Sequence, residues 1–373
     1  MEALILEEKL YIVKPDTLVN FCKELFCKNG MDETDAGHLA GALVDNEMRG
    51  IKSHGVLRVY QYLKDCAAGI YVAEDIEIVK ETPVSAVVDG KHGIGMAIAG
   101  KAVSIARNKA KEFGVGIVSV RNSSHLGAIG EWSLKLAGDD MIGVCISNTP
   151  PILSAPTGNT RVIGSNPFSI SIPAGDTPAV CLDISNGIMA MGKIAEYKRL
   201  NKPLPEGAWL DGRGNPTTDP ASGHMEEYIM RPVGSHKGFG LAIIAEILTA
   251  LLAGGEYGTQ IGLNVSDKSK GQPNSHFFFA MRIDMFQDLD KFTERLKEFI
   301  DYIHASPTAE GKPPVIMPGE IEYTTKEYYE RVGLVLPEDI IAELRQFSEK
   351  AGLNFSILDA KLAPPDIKAF HQI

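Results

Sequence analysis

Phe113-Gly-Val-Gly-Ile-Val-Ser-Val-Arg-Asn-Ser-Ser-His-Leu-Gly127 is the stretch whose reading decides the fold. Met96 to Phe113, leading into it, is an alanine-rich run with helical spacing, and Gly114 is a helix stop. Val115 to Val120 is then an apolar, β-branched run of the length of a buried strand. The two glycines, Gly114 and Gly116, therefore stand before a strand rather than between a strand and a helix. The dinucleotide fingerprint G-x-G-x-x-G needs the opposite order and a third glycine, and neither is present. The chain also lacks H-E-x-x-H, G-x-S-x-G and a P-loop. The reading is an α/β layer protein of a non-Rossmann type.

Outward from this stretch the alternation continues. Ile76 to Val79, Ser85 to Asp89, Ile142 to Ser147, Phe168 to Ile172, Ala179 to Asp183 and His276 to Ile283 read as strands. Ile129 to Ala137, Lys237 to Ala253 (strongly apolar) and Asp288 to Tyr302 read as helices, and Asn201 to Ser222 as a long surface loop. Gly254 to Pro273 reads as a mobile polar loop. The first seventy or so residues carry a different pattern. Asp16 and Thr17 offer a helix start before Leu18, Phe21, Cys22, Leu25 and Phe26, and Asp32 caps a second helix with Ala36, Leu39, Ala40, Leu43 and Val44 on one face. Residues 56–68 read as a third helix, and Pro337 to Gly352 as a tail helix that returns to the first ones. The expected organisation is a helical domain from residues 1–75, an α/β domain over 76–310 and a C-terminal segment, 311–373, that completes the helical domain.

The chain has 373 residues, is 44% hydrophobic, and carries a net charge of −11, which disfavours nucleic acid and anionic membranes as partners. No run of about 18 apolar residues suggests a membrane span, and the N-terminus lacks the basic start and apolar run of a secretory signal. The five cysteines have neither metal nor redox spacing, the nine histidines are scattered without metal spacing, and a reducing cytoplasm is the expected compartment.

Four motifs carry candidate chemistry. Arg49-Gly-Ile-Lys-Ser-His-Gly-Val-Leu-Arg58 places His54, able to move a proton near neutrality, four residues before Arg58, able to grip a carboxylate. The alternative is a satisfied histidine at a helix end beside solvated arginines. Asn122-Ser-Ser-His-Leu-Gly127 sets His125 at the end of a strand, where α/β sheets bind ligands, or is a polar turn capped by Asn122 or Ser123. Leu182-Asp-Ile-Ser-Asn-Gly187 closes a strand with an acid and a hydroxyl. Gly234-Ser-His-Lys-Gly-Phe-Gly240 opens the apolar helix with three glycines and Lys237, a pattern suited to phosphate or simply to close helix packing.

Taken in order, these segments with Gly164-Ser-Asn-Pro167, Pro205-Glu-Gly207, Asn215-Pro-Thr-Thr-Asp-Pro220 and Pro318-Gly-Glu320 resemble the type 2 malate/L-lactate dehydrogenase family. Its branches include ureidoglycolate and sulfolactate dehydrogenases, diketogulonate reductase and piperideine-carboxylate reductase. The resemblance implies a non-Rossmann, mixed-sheet dinucleotide-binding domain. It implies an NAD-dependent oxidoreductase, with NADP as the alternative, interconverting a small 2-hydroxy acid and its 2-oxo acid, and a homodimer. It places proton transfer on His54 or His125 and the substrate carboxylate near Ser53, Arg58 and Tyr62. Cofactor contacts fall on Thr149, Asp183, Ile184, Ser185, Lys237, Gly238, Arg295, Gly319 and Glu320, and no metal is implied. The chain departs from the usual pattern at His236. Reduction of a cyclic imine carboxylate or a diketo sugar acid is the alternative within the class. A non-catalytic ligand-binding protein on the same fold is the alternative outside it.

Overall fold

The computed structural model describes residues 9–67, 69, 75–191, 193–224, 227–262 and 273–363. The chain divides into two compact units, one from Met1–Gly69 with Glu320–Ile373 and one from Ile70–Gly319.

The terminal unit is built on helices α1 (Pro15–Lys28) and α2 (Glu33–Met48). The 3.6-residue spacing of α1 buries Leu18, Phe21, Cys22, Leu25 and Phe26 completely. Pro15 rather than Asp16 opens this helix, and Lys14 at its N-cap makes no side-chain bond. Asp32 caps α2 as expected, accepting from the amides of Thr34 and Asp35 at 3.0 Å. Helix α3 (Val59–Ala67), α9 (Glu320–Val332) and α10 (Glu338–Ala351) complete the helical layer. Asp45 accepts from Lys326 Nζ at 2.6 Å and from Arg49, fixing α9 to α2. A three-stranded antiparallel sheet, not anticipated in the sequence, closes the unit. Strand β1 (Leu10–Val13) lies between β12 (Leu334–Pro337) and β13 (Lys361–Leu362).

The central unit is organised by a seven-stranded sheet. Its strands are β2 (Glu77–Glu81), β3 (Ser85–Asp89), β4 (Val115–Ser123), β5 (Met141–Ser147), β6 (Phe168–Ala174), β7 (Thr177–Ile184) and β11 (Asn274–Arg282). They are ordered β2-β3-β4-β11-β5-β6-β7. Only β3 and β4 run parallel, joined by helix α4 (Gly95–Phe113); the other neighbours are antiparallel. One parallel pair is not a doubly wound parallel sheet, so the fold is mixed α/β and non-Rossmann. The glycines of the opening stretch now have their reason. Gly114 ends α4 with φ +86°. A Cβ on Gly116 would strike the Ala106 carbonyl, so α4 lies directly on β4 there. Gly143 plays the same part where α5 (Gly130–Leu136) meets β5, because its Cβ would strike the Ser133 carbonyl.

Two expectations need amending. The stretch Asn201 to Ser222 is not wholly a surface loop. It contains β8 (Trp209–Leu210) and β9 (Pro216–Thr217), which with β10 (Ile229–Met230) make a small sheet. Buried Trp209 meets Tyr228 edge-on at 6.2 Å, in a satellite core with Leu153, Leu204 and Ile194 of α6 (Lys193–Arg199). The apolar helix over 237–253 is α7 (His236–Glu246) followed by a π-helical turn, Ile247–Leu251. One face leaves Leu241, Ile244, Leu251 and Leu252 at least half exposed. Helix α8 (Leu289–His304) packs Ile300 against Ala174 and Met317. Much of the loop read over Gly254 to Pro273 lies outside the described residues.

Candidate active site

In the terminal unit, α2 ends at Arg49 and Gly50 turns the chain with φ +76°. Two short 3-10 turns, Lys52–His54 and Val56–Arg58, then lead into α3. The second replaces the first turn of the helix expected over 56–68. The reason is the buried Glu47, whose carboxylate accepts from the Val56 amide at 3.0 Å. A Cβ on Gly55 would strike that same carboxylate and displace it, so glycine lets the backbone pass with the Glu47–Val56 bond intact. Burial raises the Glu47 pKa. Asn46 Nδ2 donates to the His54 carbonyl at 3.2 Å, holding the histidine's backbone to α2.

Three predicted residues meet in this turn. Ser53 Oγ lies 2.9 Å from His54 Nδ1. Arg58 Nε donates to the Ser53 carbonyl at 2.8 Å. With Nε so used, the guanidinium presents its two terminal nitrogens as an end-on fork. Burial, and then the Arg58 charge, push the His54 imidazole down to about 4, so it is neutral near pH 7. Tyr62, one turn further along α3, is buried, and burial raises its phenol. Glu320 also belongs to this unit, as the first residue of α9.

In the central unit the strand registers collect most of the remaining candidates at one end of the sheet. Ser123 at the end of β4 faces Asn274 at the start of β11, and His276 faces Ser147 at the end of β5. Ile146 faces Phe168 at the start of β6, which faces Ile184 at the end of β7. His125, Thr149, Asp183, Ile184 and Ser185 therefore share that end. Asp183 Oδ2 accepts from the Gly130 amide at 2.8 Å, which fixes the loop after β4 to the end of β7. Lys237 joins them through the chain before α7, where the Val233 amide donates to Asn186 O at 3.0 Å. The amides of Lys237 and Gly238 are already bonded, to Gly234 O at 3.3 Å and Val233 O at 2.9 Å. Any anion here is held by the exposed Lys237 side chain rather than by those amides. A Cβ on Gly238 would strike Val233 O, so that glycine is required by packing. Gly319 lies against β7, where the Pro318 carbonyl accepts from the Cys181 amide at 2.9 Å. Arg295 is the outlier. It sits exposed on α8, whose Thr293 meets Gly175 at the β6–β7 hairpin, the opposite end of those strands.

With this geometry in view, comparison with known proteins is decisive. Residues 13–345 match the model of the malate/L-lactate dehydrogenase family. The chain belongs to this family. It is 35% identical to an L-sulfolactate dehydrogenase of Methanocaldococcus jannaschii, over 92% of this chain and 98% of that one. It is 31% identical to a malate dehydrogenase of Pyrococcus horikoshii, over 93% and 97%. The crystal structure of a malate dehydrogenase from Entamoeba histolytica superposes with a TM-score of 0.86 at 28% identity, covering 92% of this chain and 99% of that one. The resemblance read from the motifs is thus the correct family, and the family's dehydrogenases share its mixed α/β fold.

The central unit also contains side chains that sequence reasoning passed over. His276 is fully buried on β11. Its Nε2 donates to Ser124 O at 3.2 Å, and its Nδ1 lies 3.0 Å from Ser147 Oγ. Burial pushes its imidazole down to about 3. It thus supports the turn that presents His125, one residue beyond Ser124. Glu246, nearly buried on α7, bonds Asn148 and Asn166, and Asn166 Oδ1 accepts from the Thr149 amide at 3.0 Å. In the sequence, Asn148 and Asn166 look like ordinary polar residues of loops at strand ends. A lone Glu in an apolar run was the one available signal for Glu246. Among the described residues no group of three His, Cys, Asp or Glu could hold a metal, and no helix is long and apolar enough to cross a membrane.

Proposed function

We propose that this chain is an NAD-dependent dehydrogenase, with NADP as the alternative cofactor, of a small 2-hydroxy acid of the malate, lactate or sulfolactate kind. The observation that carries the proposal is the His54–Ser53–Arg58 turn, which puts a neutral imidazole and a bidentate cation on one short rigid segment. The central unit carries the dinucleotide candidates, the Thr149 and Ser185 hydroxyls, Asp183, the Lys237 ammonium and the Gly319 backbone. Its end of the sheet fits such a group. At Gly164 a Cβ would strike the Thr149 carbonyl and hydroxyl, so the chain keeps that turn bare of side chain beside a candidate contact. Glu320 is the cofactor position in the terminal unit, and Arg295 remains the least supported.

A nicotinamide, when bound, would supply hydride to the 2-oxo carbon or accept it from the 2-hydroxy carbon. Arg58 holds the neighbouring carboxylate and so orients that carbon. His54, whose Nδ1 lies against Ser53 Oγ, takes the hydroxyl proton in oxidation and returns it to the carbonyl oxygen in reduction. His125, presented by the β4 turn, is the second proton-transfer candidate. The exposed apolar face of α7 supports the homodimer reading, because such patches mark contacts between proteins; sedimentation of the purified chain checks it.

The test is a scan of NADH and NADPH oxidation with pyruvate, oxaloacetate, sulfopyruvate and other 2-oxo acids, followed by two variants. Arg58→Lys keeps the charge but loses the fork, and kcat/KM for the acid should fall by at least about tenfold with dinucleotide affinity unchanged. Lys237→Ala should weaken dinucleotide binding by about tenfold and leave the KM of the acid alone. No turnover of any 2-oxo acid by the wild-type chain would remove the reading.

A further inference from the structure

Glu246 is a carboxylate buried in an apolar helix, a costly placement unless its acceptors are used. Its partners are all amide donors from three different loops. Asn148 Nδ2 donates to Oε1 at 3.3 Å from the end of β5. The Gly258 amide donates to Oε1 at 3.1 Å from the segment after the π-helical turn. Asn166 Nδ2 donates to Oε2 from the loop before β6. Each loop is tied onward. Asn148 Nδ2 also reaches Glu256 O at 3.2 Å, and Asn148 Oδ1 accepts from the Ser275 amide at 2.6 Å. Asn166 Oδ1 takes the Thr149 amide at 3.0 Å, and the Asn166 carbonyl takes Asn186 Nδ2 at 2.6 Å. Asn166 itself holds φ +34°, a backbone setting that asparagine tolerates. Two hydrogen-bond steps from one carboxylate thus reach the loops that carry Thr149 and Ser185. The carboxylate sits on the helix that Lys237 helps to open.

We infer that Glu246 is a positioning residue for the dinucleotide site, an acceptor-only clamp that holds two strand-end loops, the segment after the π-helical turn and α7 in mutual register. The inference rests on the cofactor reading above. The chemistry explains the residue type. Three donors converge on two oxygens, so the site demands a group with no hydrogen to give. A glutamine of the same shape would turn an NH2 onto one of those donors, and a hydrophobe would leave all three unpaired.

The experiment uses the full chain. Glu246→Gln and Asn148→Ala are purified and their Tm measured. NADH and NADPH are titrated by fluorescence, and KM is determined for the dinucleotide and the 2-oxo acid separately. The expected result for Glu246→Gln is a rise of about tenfold in dinucleotide Kd and KM, with the acid's KM and kcat at saturating dinucleotide close to wild type. Asn148→Ala, which removes a single arm, should show the same split more weakly, and it carries the test if Glu246→Gln does not fold. A lowered Tm with unchanged dinucleotide affinity would make the network a matter of stability alone and overturn the inference, as would wild-type behaviour of both variants. Failure of the wild-type chain to bind either dinucleotide would instead strike the cofactor reading itself.

Discussion

At the scale of single residues, the pairing of His54 with Arg58 has a consequence for acid–base behaviour. Burial and the guanidinium hold the free imidazole at about 4, so at neutral pH it is a base waiting for a proton. A substrate carboxylate on Arg58 offsets the charge that depresses it, and the imidazole then rises toward its ordinary range, where it can also act as an acid. Oxidation needs the deprotonated ring. The kcat/KM of oxidation, which reports the free enzyme, should therefore hold from neutrality down and fall only as pH drops through about 4, while kcat should fall at a higher pH. Arg58→Gln should move the first limb upward. Rate profiles in both directions check this. A kcat/KM limb near the ordinary histidine value, unmoved by the Arg58 substitution, would take the base away from His54 and leave His125. The sequence pointed to this segment because cations, hydroxyl and imidazole crowd into ten residues. It did not point to Glu47, which shapes the turn through contacts with Gly55 and Val56 that no spacing rule encodes.

At the scale of elements, the sheet was readable wherever length and periodicity agreed. Ser85–Asp89 was read to the residue, and β4, β5, β6, β7 and β11 were each found within a few positions. Short elements were not. Strands β1, β8, β9, β10, β12 and β13 have two to four residues each, too few for alternation to show, and β1 forms only with partners some three hundred residues away. Helix α9 was missed because its charged, tyrosine-rich surface hides a stripe whose buried members are Thr325 and Tyr329. Of the candidate site, the strand-end residues were legible as motifs, but the amides and carboxylate that hold them were not, since asparagines at strand ends look alike in sequence. The α4–β4 contact offers a direct check on the element scale. Gly116→Ala places a methyl group against the Ala106 carbonyl and should cost about 1–3 kcal/mol of stability. Gly240, where a Cβ meets nothing within 4 Å, is the matched control, and Gly240→Ala should be neutral or slightly stabilising. Equal denaturation midpoints for the two variants would show that α4 can move off the strand at no cost.

At the scale of the whole molecule, the two units differ in how they use the chain. The central unit is one continuous run, Ile70–Gly319, whereas the terminal unit is assembled from both ends. Strand β1 has no sheet to join until β12 and β13 exist, and Gly333, at φ +90°, must bring β12 in against Ile12. During synthesis on the ribosome, β1 thus emerges long before the strands it pairs with. The usual order, in which the beginning of a chain folds first, is reversed for about seventy residues. Helices α1 and α2 can pack on each other at once, but β1 and the helix faces that meet α9 and α10 must wait while the middle of the protein forms, a period in which they are targets for chaperones and proteases. A chain stopped after Val332 reproduces that waiting state. Brief protease treatment should then strip residues 9–67 and spare a fragment close to Ile70–Gly319, whereas the complete chain should resist at both. Survival of the N-terminal helices in the shortened chain would mean that they can fold without the end of the protein, and that the nascent chain carries no such exposed interval.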